Sequence, residues 1–229
     1  MASYEELREK HLTELKALLP AYTERLSWSA DRLNQEREEK LRTLVRLAKE
    51  RSPWHCKRLV DIDPETLTEA DLDRIPPMTK SDLMDHWDDI VTDRRLNLDL
   101  VNSHLESLTT DQYLLDEYHA VASGGSTGRR GVFVYDWTAW TLLYVMMIRR
   151  AIQVVANDPQ FSETPPTRAV IAAEKATHLS SSLSQTFDSS LASTHYFPIT
   201  LPIKQIVAGL NELQPRSVWL SVCALPALT

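Results

Sequence analysis

Apolar residues recur at helical spacing through the first half of the chain. In "YEELREKHLTELKALLP", Leu7, His11, Leu15 and Leu18 share one face, and Pro20 is expected to end that helix. In "EREEKLRTLVRLAKERSP", Leu41, Leu44, Val45 and Ala48 make a second stripe, closed by Ser52 and Pro53. The charges opposite it read as a solvated face, because the pattern is not sustained across Pro20 for the heptads a coiled coil needs. Thr68 with Asp71 and Thr79 with Asp82 each place a hydroxyl three residues before a carboxylate, the spacing of a capping box, so two short helices are expected around the extended Pro76-Pro77 connection. Residues 87–116 read as helix and loop without a sharper pattern.

The pattern changes near Glu117. Two short β-prone runs, His119 to Ala122 and Val132 to Tyr135, flank "SGGSTGRRG", and Asp136 then caps a long helix. Its expected apolar stripe is Trp140, Leu143, Tyr144, Met147, Ile148, Ala151, Ile152 and Val155. "RAVIAA" reads as a buried strand. In "LSSSLSQTFDSSLA", Leu179, Leu183, Phe187 and Leu191 recur every four residues and mark an amphipathic helix rather than a linker. "HYFPITLP" reads as a strand, Ile203, Ile206, Val207, Leu210 and Leu213 as a helix, and "SVWLSVCAL" as a last strand. Strand-helix-strand-helix-strand is the order of a parallel sheet covered by helices. The expected class is α/β: a mainly helical region, 1–116, leading into an α/β region, 117–229, with a parallel or mixed sheet flanked by helices.

Composition narrows the function. The 229 residues carry a formal net charge of -7, which disfavours nucleic acid as a partner because phosphate binding depends on Lys and Arg. The longest apolar run, Ala139 to Ile148, falls short of the roughly 20 residues of a membrane span. The start of the chain has alternating charge in place of an apolar signal core, so a cytoplasmic location without membrane partners is expected. Cys56 and Cys223 lack the spacing of a disulfide framework or zinc site and read as two buried free thiols.

Glycine distribution carries the chemistry. Of 5 Gly, Gly124, Gly125, Gly128 and Gly131 lie in one stretch and only Gly209 lies elsewhere. Such a cluster lets backbone N–H groups converge on an anion, and Ser123, Ser126 and Thr127 add hydroxyl donors. Neither GxGxxG nor a P-loop ending in Gly-Lys-Ser/Thr is present, and a strand rather than a helix follows, so the helix-dipole phosphate sites are excluded. On local physics a phosphate site and a plain hairpin loop remain equally open. His178 and His195, beside expected strand ends, are weaker candidates and read first as structural. No Ser/His/Asp or paired-carboxylate spacing stands out.

"SGGSTGRRG" resembles the Ser/Thr/Gly-rich phosphate loop of adenylate-forming enzymes. "LVRLAKERSPWHCKRL" followed by "LTEADLDRIPPMTKSDLMDHW" is similar to the N-terminal pattern of the phenylacetate-coenzyme A ligase branch. The resemblance covers most of residues 40–225. It implies the N-terminal domain of an ATP-dependent acid-thiol ligase, in which a small-molecule carboxylic acid attacks ATP in the presence of Mg2+ and the acyl-adenylate passes to coenzyme A. The implied phosphate-binding residues are Ser123, Gly124, Gly125, Ser126, Thr127, Gly128, Arg129 and Arg130, with Thr127 toward the metal; the Pro and Lys of relatives are here Arg130 and Gly131, so Arg129 or Arg130 would substitute for the lysine contact. The family's Tyr-Gly-x-Thr-Glu segment and later catalytic lysine do not occur within the 229 residues, so the chain alone is expected to be inactive. Two readings follow: part of such a ligase, completed by a further C-terminal polypeptide or assembled as a homo-oligomer, or a non-catalytic phosphate-ligand-binding or protein-interaction module derived from one.

Overall fold

The computed structural model describes residues 2–123, 129–157, 166–172, 176–187 and 193–220. The helices are α1 (Tyr4–Glu24), α2 (Ala30–Arg51), α3 (Pro53–Arg58), α4 (Lys80–Asp85), α5 (Trp87–Ile90), α6 (Leu98–Ser107), α7 (Trp137–Asn157), α8 (Leu179–Thr186) and α9 (Ile203–Leu213). The strands are β1 (His119–Ala122), β2 (Val132–Tyr135), β3 (Thr167–Ala172), β4 (Ser193–Pro198) and β5 (Ser217–Leu220). No described helix is long and apolar enough to cross a membrane.

The chain divides into two compact units, Glu24–Ser103 and Met1–Thr23 with His104–Thr229. The change of pattern at Glu117 therefore marks where strands begin, while the first helix belongs with the α/β residues. In Glu24–Ser103, α2 lays Val45 against Leu59, Ile62 and Leu67, with Leu41 and Ala48 beside them. Leu44, expected in that stripe, is 63% exposed. Ser29 caps α2 by accepting from Arg32 N–H, and Ser52 caps α3 by accepting from His55 N–H. Both capping boxes form, Thr68 with Asp71 at a 3-10 turn and Thr79 with Asp82 at α4. Cys56 is exposed on α3, contrary to the buried thiol expected; Cys223 lies outside the described residues.

In the other unit, α1 runs through Pro20 instead of ending there. Proline in a helix interior removes a hydrogen bond and costs about 3 kcal/mol. Packing on both sides of it offsets that loss, since Leu12, Leu15, Leu18, Leu19 and Tyr22 all reach the core cluster. The same core takes Val121 of β1, Trp140, Tyr144, Val145 and Ile148 of α7, Leu183 of α8 and Phe187 just after it. Asp136 Oδ1 accepts from Ala139 N–H at the start of α7 as expected, but Val145 is buried whereas Met147 is 43% exposed. On α9 only Ile206 is buried, and Ile203 and Val207 face solvent.

The coarse α/β class holds, with the strands in two sheets. β1 and β2 form an antiparallel hairpin; β3, β4 and β5 form a parallel sheet in the order β4-β3-β5. The path β3-α8-β4 runs to one side of β3, and β4-α9-β5 crosses to the other. With the right-handed crossovers usual for parallel strands, that order would put α8 and α9 on opposite faces. α9 comes close: a Cβ on Gly209 would lie 2.4 Å from the Phe197 ring. The carboxyl end of β3, where the two connections diverge, is where such sheets leave a crevice.

Candidate functional site

The Gly-rich stretch is suspended from the β1-β2 hairpin. The register runs from His119↔Tyr135 to Ala122↔Val132. One further rung closes the foot of the loop: Ser123 N–H donates to the Gly131 carbonyl (2.8 Å), and Gly131 N–H donates to Ser123 Oγ (2.7 Å). The side-chain oxygen thus takes the donor that a backbone carbonyl would otherwise accept, and the Ser123 O–H remains a donor. A Cβ on Gly131 would meet the Phe133 ring at 3.0 Å, so this glycine serves close approach at the loop's foot. Of the sequence-predicted residues, Ser123 is half-buried at the foot, and Arg129 and Arg130 are exposed on the returning limb. Gly124, Gly125, Ser126, Thr127 and Gly128, and with them the metal role expected of Thr127, lie outside the described residues.

Ser123 also lines a cavity of about 430 Å³. Its walls come from β1 and β2 (Val121, Phe133, Tyr135), from the carboxyl ends of β3 and β5 (Ala172, Trp219, Leu220), and from the start of α8 (His178, Leu179, Ser180). Most of the wall is apolar, and Ser123 and His178 are among its polar residues. Burial raises the Tyr135 phenol above its usual value. His178 stands at the N-cap of α8 and lines the cavity. His195 lies within β4, not at its end; it is exposed, with Nε2 3.4 Å from Ser193 Oγ.

A second cleft, about 720 Å³, includes Tyr4, Arg8, Asp111, Gln185 and Tyr196 in its wall, and shares Ala172 and Ser180 with the apolar cavity. Behind it lies a buried polar cluster. Asp111 Oδ2 accepts from the Tyr4 hydroxyl (2.8 Å) and the Thr186 hydroxyl (2.9 Å). Oδ1 lies 3.3 Å from His119 Nδ1, at ion-pair distance but off the line of a good hydrogen bond. Trp140 Nε1 donates to Thr186 Oγ1 (3.1 Å), and the Trp140 ring stacks on His119 with centroids 4.2 Å apart. Burial pushes the Asp111 carboxyl up, but contacts from His119, Tyr4 and Ser182 outweigh it and hold its pKa below the usual value. Asp111 is therefore an acceptor-only carboxylate at neutral pH, with Oδ1 facing His119 Nδ1.

Sequence spacing could not find this constellation, because residues 111, 119 and 186 meet only through tertiary packing. It is no nucleophilic triad in this arrangement: Thr186 is fully buried, and its hydroxyl has Asp111 Oδ2 (2.9 Å) and the Ser182 carbonyl (3.0 Å) as acceptors. Among the described residues no group of three or more His, Cys, Asp or Glu is placed to hold a metal ion. No protein-family model matches the chain, and no curated protein matches it.

Proposed function

We propose that this chain is the N-terminal part of an adenylate-forming acid-thiol ligase, in which residues 123–130 receive the pyrophosphate end of ATP and the apolar cavity receives the acyl part of a carboxylic acid. One observation carries the reading: Ser123, the foot of the Gly-rich loop, forms part of the wall of a largely apolar cavity at the carboxyl ends of β3 and β5. A phosphate-binding loop beside an apolar chamber is the juxtaposition that carboxylate activation requires. The acid's carboxylate must reach the α-phosphate while its apolar part is held out of water.

The phosphate end of this reading is supported by Ser123, Arg129 and Arg130 among the described residues. The Ser123 hydroxyl keeps a proton to donate, and Arg129 and Arg130 add positive charge on the returning limb. When bound, ATP with Mg2+ would supply the electrophilic α-phosphate and the pyrophosphate leaving group, and coenzyme A the acceptor thiol. This chain's contribution is to orient the phosphates and shield the acid. The family's segments for adenine, ribose and the catalytic lysine do not occur in these 229 residues, so the proposal limits the chain by itself to binding.

Calorimetry with Mg-pyrophosphate and Mg-ATP on the wild type and Thr127→Ala tests the reading. Saturable binding weakened about tenfold by loss of the hydroxyl is expected, equivalent to about 1.4 kcal/mol. Absence of binding, or binding indifferent to Thr127, refutes it. The alternative is an interaction module, favoured by the exposure of Ile203 and Val207 on α9 and of Val218 and Leu220 on β5.

A further inference from the structure

The loop-bearing hairpin is tied to α8 at two points. Near the loop, Ala122 N–H donates to the Thr177 carbonyl (2.9 Å), just before α8 begins. At the far end, Asp111 joins the same two elements: Thr186, the last residue of α8, donates to Oδ2, and His119, the first residue of β1, faces Oδ1. Asp111 N–H adds a bond to Gln185 Oε1 of α8 (3.1 Å), and Tyr4 of α1 donates to Oδ2. The ties are well separated, because a four-residue strand spans about 10 Å and an eight-residue helix a similar distance. With both in place the strand cannot pivot on the helix; with one, it can.

We propose that Asp111 is a positioning residue that fixes β1 against α8, and so sets the spacing between Ser123 at the foot of the Gly-rich loop and the His178–Ser180 wall of the apolar cavity. Asp111 does not line the apolar cavity, and acts through His119 and Thr186. Its effect on the binding of phosphate rests on the function proposed above; its effect on the geometry of the loop does not.

The test is amide hydrogen exchange on the full chain, read at Ala122, Ser123 and Gly131, with Val45 in the other unit and Ile148 in α7 as references. Thr186→Val removes one hydroxyl from a residue of nearly unchanged shape. It is expected to speed exchange at the three hairpin amides about tenfold while leaving the references within about twofold. Thr186→Ser, which keeps the hydroxyl, restores the wild-type pattern. Asp111→Asn retains an acceptor for the two hydroxyls and gives an intermediate effect. Unchanged hairpin exchange in Thr186→Val, equal acceleration at Ile148, or failure of Thr186→Ser to rescue overturns the proposal.

Mg-pyrophosphate titration of the same variants is the second arm, with about tenfold weaker binding expected for Thr186→Val. A wild type that binds no pyrophosphate sinks the proposed function, and the exchange arm still decides the role of Asp111. A wild type that binds, together with a variant of altered exchange but unaltered affinity, refutes the link between this anchor and the phosphate site.

Discussion

His11 should make the folded state sensitive to mild acid. Its side chain is fully buried on α1, with the Trp137 ring centroid 3.7 Å away and the rings of Tyr113, His119 and Phe187 at 5.4, 5.6 and 5.7 Å. Nε2 lies 3.3 Å from the Trp137 carbonyl, which can only accept, so the neutral ring carries its proton there. Nδ1 then accepts from the Tyr113 hydroxyl at 2.8 Å. Both nitrogens are satisfied without a charge. Burial, reinforced by His119 and Lys10 and opposed by the Trp137 carbonyl and Asp111, lowers the pKa from 6.5 to about 3.

The sign follows from proton uptake. The unfolded chain binds a proton at His11 near pH 6.5 while the folded chain resists until about 3, so this contribution is complete above 6.5 and is lost as the pH falls toward 3. Across that window the cost is about 1.4 kcal/mol per pH unit, or about 2 kcal/mol at pH near 5. Denaturant unfolding at about pH 7.5 and pH 5 should therefore show a steeper acid loss for the wild type than for His11→Gln, by about 2 kcal/mol. His55 and His104, also lowered by burial, and the depressed carboxylates Asp71, Asp82 and Asp111 titrate in both proteins and cancel in the difference. Parallel pH profiles would refute the account, as would an NMR titration that places the His11 midpoint near 6.5.

Pro20→Ala should raise stability by about 1–3 kcal/mol, because the observed helix already continues through that position and would regain the bond to the Lys16 carbonyl. A denaturation midpoint unchanged or lowered would show that the proline is better accommodated than its position implies. Gly209→Ala should destabilise by about 1–3 kcal/mol, since the new methyl would lie 2.4 Å from Phe197. The double variant with Phe197→Leu should recover part of that loss, and no recovery would locate the strain elsewhere.

The candidate site was legible where its signal was local. The limits of the hairpin strands, Asp136 as the cap of α7 and the capping boxes at Thr68 and Thr79 all appear where side-chain chemistry next to the backbone fixes a boundary. The clustering of glycine marked the loop, and the recurrence of Leu179, Leu183 and Phe187 on successive turns marked α8 despite its serines. The fate of Pro20 was not legible, because a residue with poor intrinsic propensity is overruled only by a core whose other walls lie more than a hundred residues away. Met147 for Val145, the exposure of Leu44 and Cys56, and the position of His195 within β4 were missed for a related reason. Periodicity says which residues share a face, not which neighbour arrives to cover it.

Outside residues 87–116, the sequence by itself determined most of the elements and their order, since helix periods, caps and strand alternation are properties of adjacent residues. Tertiary structure alone decided that the first helix packs with the α/β residues, that β3 becomes the central strand, and that Asp111 meets Tyr4, His119 and Thr186 in a buried cluster. The cause is desolvation. A carboxylate loses its water only when several donors from distant segments surround it together, and no local pattern records which segments those will be.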